Sequence, residues 1–98
     1  MTLEQIMNEL EMLMQDLVYG RVEYMLDFMG AGVGLGPPQE ALDMVVSPIR
    51  EKMMLGRAVQ AEELQELHES LLQIRAGYYL AELTPIIKDL EQLLAQQG

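Results

Sequence analysis

His68 is the single histidine of the chain, and Glu63, Glu66 and Glu69 stand within five residues of it. Imidazole and carboxylates at close spacing are the donor types of a metal centre or a proton relay. Di-iron carboxylate bundles, however, use Glu-x-x-His twice together with two further glutamates, and the residue three before His68 is Gln65. The expectation is a partly exposed, structurally incidental histidine and no metal site. Ser47 and Ser70 lack the glycine-flanked strand-to-helix elbow that exposes a hydrolase nucleophile, and a triad built on either would also have to recruit His68. Cysteine is absent, which removes disulfides, thiolate metal ligands and thiol nucleophiles together. The remaining carboxylates project mostly onto outward helical faces, where solvation rather than acid–base pairing is expected.

Arg21 projects into the apolar arc of the first helical segment, beside Leu17, Met25 and Phe28. A charge there needs a partner carboxylate, a snorkelling route or an anion to bind. An enzyme that binds a dicarboxylate inside a helical bundle needs several converging cations, and the six available, Arg21, Arg50, Lys52, Arg57, Arg75 and Lys88, mostly face outward. No residue is assigned a catalytic, cofactor-binding or metal-binding role, and the chain is not expected to be an enzyme. Met25, Phe28, Met29, Met44, Met53 and Met54 form an apolar set that serves either as core filler or as an adaptable contact surface. Met44 and Met54 fall at or beyond the edges of their helix's main stripe, as do Val22 and Leu26 in theirs. Surplus apolar surface of that kind is what an interface uses. The expected partner-binding residues are therefore Arg21, Met25, Phe28, Met29, Met44, Met53 and Met54.

The elements that must position these residues are helices. Leu3, Ile6, Met7, Leu10, Leu13, Leu17, Met25 and Phe28 recur at three- and four-residue spacing, which predicts an amphipathic helix over about residues 2–29, capped by Thr2 with Gln5 closing a capping box. The glycine-rich stretch from Gly30 to Gly36 and the Pro37-Pro38 pair end it as a loop. Those glycines do not form a phosphate-cradling motif, because no strand precedes them and no Lys-Ser/Thr pair follows. A second helix is predicted over residues 38–55, kinked at Pro48, or else split there with Ser47 capping a new helix; Gly56 is its stop. Leu64, Leu67, Leu71, Ile74, Tyr78 and Ala81 make the clearest seam, within a helix over residues 60–83. Thr84-Pro85 reads as a cap and first-turn proline opening a fourth helix over residues 85–97.

The predicted architecture is a single all-α domain over residues 1–98, a small antiparallel four-helix bundle, with a second copy as one way of completing it. A formal charge of −10, from 16 acidic and six basic residues, disfavours nucleic-acid backbones and anionic membrane surfaces as ligands. Met-Thr-Leu-Glu-Gln carries an acidic residue where a signal peptide carries positive charge, so the expectation is a cytoplasmic protein. The function expected is that of a small acidic accessory protein, a chaperone, adaptor or assembly subunit. It would present a Met/Leu-rich groove to a helix of another protein, as part of a homodimer or hetero-oligomer, without cofactor, direct nucleic-acid binding or membrane association. The competing expectation is an inhibitor that mimics nucleic acid and blocks a basic groove on its target.

Overall fold

The computed structural model describes residues 2–25 and 36–97 of the chain. Four helices follow one another: α1 (Leu3–Val18), α2 (Pro38–Met54), α3 (Ala61–Tyr78) and α4 (Leu83–Gln97). Each packs on two neighbours in a ring, α1 on α2, α2 on α3, α3 on α4 and α4 on α1. Side-chain ties link three of these pairs, and the shared clefts give the sense of the first, with Val18 at the end of α1 beside Gln39 at the start of α2 and Glu4 beside Met54. Arg50 of α2 meets Glu11 of α1, Lys52 near the end of α2 meets Glu63 near the start of α3, and Arg75 near the end of α3 meets Thr84 at the start of α4. The ring closes through the cleft that puts Leu13 and Asp16 of α1 beside Ile86 and Glu82. Neighbours are antiparallel throughout, so the fold is the up-down-up-down four-helix bundle that the apolar periodicity predicts.

The first helix starts as its sequence dictates. The Thr2 hydroxyl accepts from the Gln5 amide at 3.2 Å, and Gln5 Oε1 accepts from the Thr2 amide at 2.9 Å, which satisfies two of the orphan donors of the first turn. It ends earlier than periodicity predicts, at Val18 rather than near residue 29. Gly20 takes a left-handed backbone, φ +72°, its amide donates to the Leu17 carbonyl, and the Arg21 amide donates to the Asp16 carbonyl at 2.8 Å. This paired bonding is the Schellman stop that glycine favours. Val22 still packs against the core, but it does so from the turn beyond the helix.

α2 runs through Pro48 as one helix, so the split version of the prediction does not occur. Ser47 does not cap a new helix; its hydroxyl donates to Asp43 Oδ1 at 3.2 Å instead. Gly56, φ +70°, repeats the stop seen at Gly20, with Arg57 donating to the Lys52 carbonyl. α3 ends at Tyr78, not at 83, because Tyr79 adopts a left-handed conformation, φ 50°, and Leu80 donates back to Arg75. A tyrosine in that region carries roughly 1 kcal/mol of backbone strain, which no sequence pattern advertises. Ala81 consequently lies exposed in the turn rather than on the seam, and α4 begins at Leu83, two residues ahead of the predicted start.

The seam itself is buried. Leu64, Leu67, Leu71, Ile74 and Tyr78 are all between 0% and 4% exposed, and they meet Ile6, Leu10, Leu42, Val46 and Leu90 in one continuous core. That core contains no buried polar or charged residue among those described. Whatever chemistry or recognition the bundle performs is therefore carried by its grooves and ends. Among the described residues, no helix is long and apolar enough to cross a membrane.

Candidate partner-binding groove

The predicted partner-binding residues do not share one surface. Met44 lies on the outward ridge of α2, 78% exposed, where it lines grooves on both sides of that helix. Met54, 80% exposed, is ten residues further along α2, a separation of about 15 Å at helical rise. With the half-buried Met53 it borders a different cleft, near the start of α1, beside Met7 and Asn8. Met25 is exposed at the opposite end of the bundle, where its amide donates to the Tyr78 carbonyl at 2.9 Å. Arg21 is not in an apolar arc, because the helix has ended before it. Its side chain is 69% exposed, pairs with Asp16 at 3.5 Å and places its guanidinium 5.2 Å from the centre of the Tyr19 ring. Phe28 and Met29 lie outside the described residues, as does most of the predicted glycine loop.

A groove of about 670 Å³ runs between α1 and α2. Its apolar wall consists of Met14 and Val18 on α1, Tyr19 at the helix end and Met44 on α2. Val18, Tyr19 and Met44 are each more than 60% exposed, and among the described residues Val18 and Met44 are left outside the core while the Tyr19 ring is met by the Arg21 guanidinium. Val18 lies at the edge of the core stripe, about 100° round the helix from the buried Leu17 of the same turn, so it faces the groove rather than the core. The groove exists because α2 returns antiparallel to α1 with Gln39, Glu40 and Asp43 in its first two turns, opposite Gln15, Val18 and Tyr19. None of those α2 residues carries a sequence signal of its own.

Electrostatically the groove is graded. Arg50 closes one end, engaged by Glu11 and, at 3.8 Å, by Asp43. Glu40 and Asp43 stand as carboxylates on the α2 wall, one helical turn apart and both exposed. Beside them the Gln39 side-chain oxygen is buried, with no hydrogen-bond partner among the described residues. The groove thus joins apolar residues of both helices to carboxylates on the α2 wall, and the one lining cation is already paired.

His68 and Glu63 are tied structurally to neighbouring helices. His68 Nε2 lies 2.9 Å from Glu91 of α4 rather than beside the glutamates of its own helix. Among the described residues, no group of three or more histidine, aspartate or glutamate side chains could hold a metal ion. The Glu63 carboxyl is held below its ordinary value by the hydrogen bond from Lys52 and then by the Gln60 amide.

Glu9 shifts the other way, pushed up by burial first and by the facing Asp89 second. A carboxyl that binds its proton more tightly when folded loses stability for the fold as pH rises through the carboxylate range. We expect Glu9→Gln to raise the urea midpoint at neutral pH, with the gain closing well below that range, where Glu9 is protonated in both states. An unchanged or lower midpoint at neutral pH refutes the assignment.

No protein-family model, curated protein or solved structure matches this chain. Any functional reading therefore stands on the residues above.

Proposed function

We propose that this chain is a small acidic accessory protein, of the chaperone, adaptor or assembly-subunit kind, that takes a helix of a partner protein into the groove between α1 and α2. The observation that carries this reading is the exposed apolar wall of Val18, Tyr19 and Met44 on a groove of about 670 Å³. Helix-in-groove recognition requires an apolar channel of this sort between two rigid elements, and pockets that hold ligands generally fall between about 300 and 1,000 Å³. From Glu11 to Tyr19 the α1 wall is about 12 Å long, room for roughly two turns of a docked helix. Methionine and tyrosine suit the task, one adapting to the partner's shape and the other supplying rigid area.

The test uses helical peptides selected from a displayed library against the folded protein. Selected sequences should carry apolar residues at i, i+3 or i+4, and i+7. Val18→Gln with Met44→Gln should weaken their binding at least about tenfold. Because both side chains are largely exposed, that double variant should keep its stability within about 0.5 kcal/mol per substitution. Peptides that bind the double variant as well as the parent overturn the groove assignment.

The nucleic-acid-mimic reading is favoured by a second feature, the cleft between α1 and α4, where Glu9, Asp16, Glu82 and Asp89 surround Leu13 and Ile86. Under that reading, Glu82→Gln with Asp89→Asn releases the target and Met44→Gln does not.

A further inference from the structure

We infer that the occupant of the α1–α2 groove is a cationic amphipathic helix, whose basic side chains meet Glu40 and Asp43 and whose apolar face lies on Met14, Val18 and Met44; this rests on the groove reading above. The groove's own charges give the sign. Three carboxylates, Glu11, Glu40 and Asp43, line it against one cation, Arg50. Arg50 is spent on Glu11 and Asp43, and the same Asp43 oxygen takes the Ser47 hydroxyl, which leaves Glu40 and the second Asp43 oxygen to a partner. Arg21 lies nearby but outside the lining, paired to Asp16 and set against the Tyr19 ring.

Position sharpens the inference. Glu40 and Asp43 are three residues apart on α2, so they face the groove as neighbours on one helical surface. Basic residues one turn apart on a docked helix can address the pair. A formal charge of −10 on the whole chain adds long-range attraction, which speeds encounter with a basic partner and slows encounter with an acidic one. An uncharged apolar helix would cover Val18 and Met44 equally well but would leave the acceptors on the α2 wall unmet.

Three synthetic helical peptides of equal length test the inference, identical in their apolar i, i+4, i+7 positions and carrying lysine, glutamine or glutamate at the flanking positions. Calorimetry on the intact protein at low and high salt should give the lysine peptide about tenfold tighter binding than the glutamine peptide, and no measurable binding of the glutamate peptide. Glu40→Gln with Asp43→Asn should erase the lysine preference while keeping the glutamine peptide's affinity. Val18→Gln with Met44→Gln should weaken both. Equal binding of the lysine and glutamine peptides to the parent protein overturns the cationic occupant while leaving the groove reading intact. Lysine-peptide binding that survives Val18→Gln with Met44→Gln marks diffuse charge attraction and overturns both. A concentration-independent dimer that becomes a monomer in that double variant identifies a second copy as the occupant and overturns the inference.

Discussion

Leu71→Ala should destabilise the bundle by about 2–5 kcal/mol, the range for deleting most of a buried leucine and leaving part of the space unfilled. Leu71 is 0% exposed and sits in the middle of α3, flanked along the seam by Leu67 and Ile74, both within 4% of complete burial. α3 is held on two sides, by α2 and by α4, so neither neighbour can move into the gap without breaking its own packing. For a domain whose total stability is about 5–15 kcal/mol, such a loss is a large fraction of the whole. The urea midpoint should fall with little change in slope, since the surface exposed on unfolding is nearly the same. Gln73→Ala, two residues away and exposed, is the control and should stay within about 0.5 kcal/mol of the parent. Leu71 does not line the α1–α2 groove, so the variant should bind groove peptides normally wherever it remains folded. A loss below about 0.5 kcal/mol would mean that the seam is not the core.

The seam was readable because it is a local property. Leu64, Leu67, Leu71, Ile74 and Tyr78 keep helical spacing inside one element, and all are buried. The helix ends were readable only in part. Gly56 and Gly20 make the same left-handed stop with the same pair of backward hydrogen bonds. At Gly56 the apolar stripe also stops, so glycine and periodicity agree. At Gly20 the apolar spacing runs on through Val22 and Met25, and periodicity read alone overrides the glycine. Val22 packs on the core from outside a helix and Met25 is exposed, so one half of that continuation is tertiary packing and the other half is coincidence. Tyr79 gives no warning at all, since its positive φ belongs to a residue type that normally avoids it.

The groove is less legible than the core for a related reason. Surplus apolar surface can be recognised at Met44, because its helix alone defines inside and outside. Val18, Gln39, Glu40 and Asp43 acquire their setting from the antiparallel return of α2 along α1, a relation between residues more than 20 positions apart. The same relation separates Met25 from Met54. They look contiguous in a chain read as one long helix followed by a loop, yet the former lies by the end of α3 and the latter just ahead of its start. Substituting Met25 and Met54 together therefore probes two ends of the bundle rather than one interface.

Tyr78→Ala is expected to cost about 3–5 kcal/mol, as other buried aromatic truncations do, and Tyr78→Phe about 1 kcal/mol through its hydroxyl alone. Tyr78 is the largest of the fully buried side chains, 1% exposed at the end of α3. Its ring meets Tyr24 edge-on, with centroids 5.9 Å apart and planes at 77°, the arrangement in which aromatic quadrupoles attract. Its hydroxyl donates to the Gly36 carbonyl at 2.6 Å, while its own carbonyl accepts from the Met25 amide. Both flanks of residues 26–35 are thus fastened to one residue, and Gly36 leads directly through Pro37 into the first turn of α2. That turn carries Gln39 and Glu40, so the hydroxyl helps to fix the acidic wall of the groove. Tyr78→Phe should accordingly speed amide exchange over residues 39–43 and weaken lysine-peptide binding, while Tyr78→Ala lowers the stability of the entire bundle. If Tyr78→Phe leaves both exchange and binding at parental values, the hydroxyl does not anchor the groove, and only its contribution to stability remains to be measured. If Tyr78→Ala costs less than about 1 kcal/mol, the ring is not part of the core, and the end of α3 is packed differently from the arrangement described.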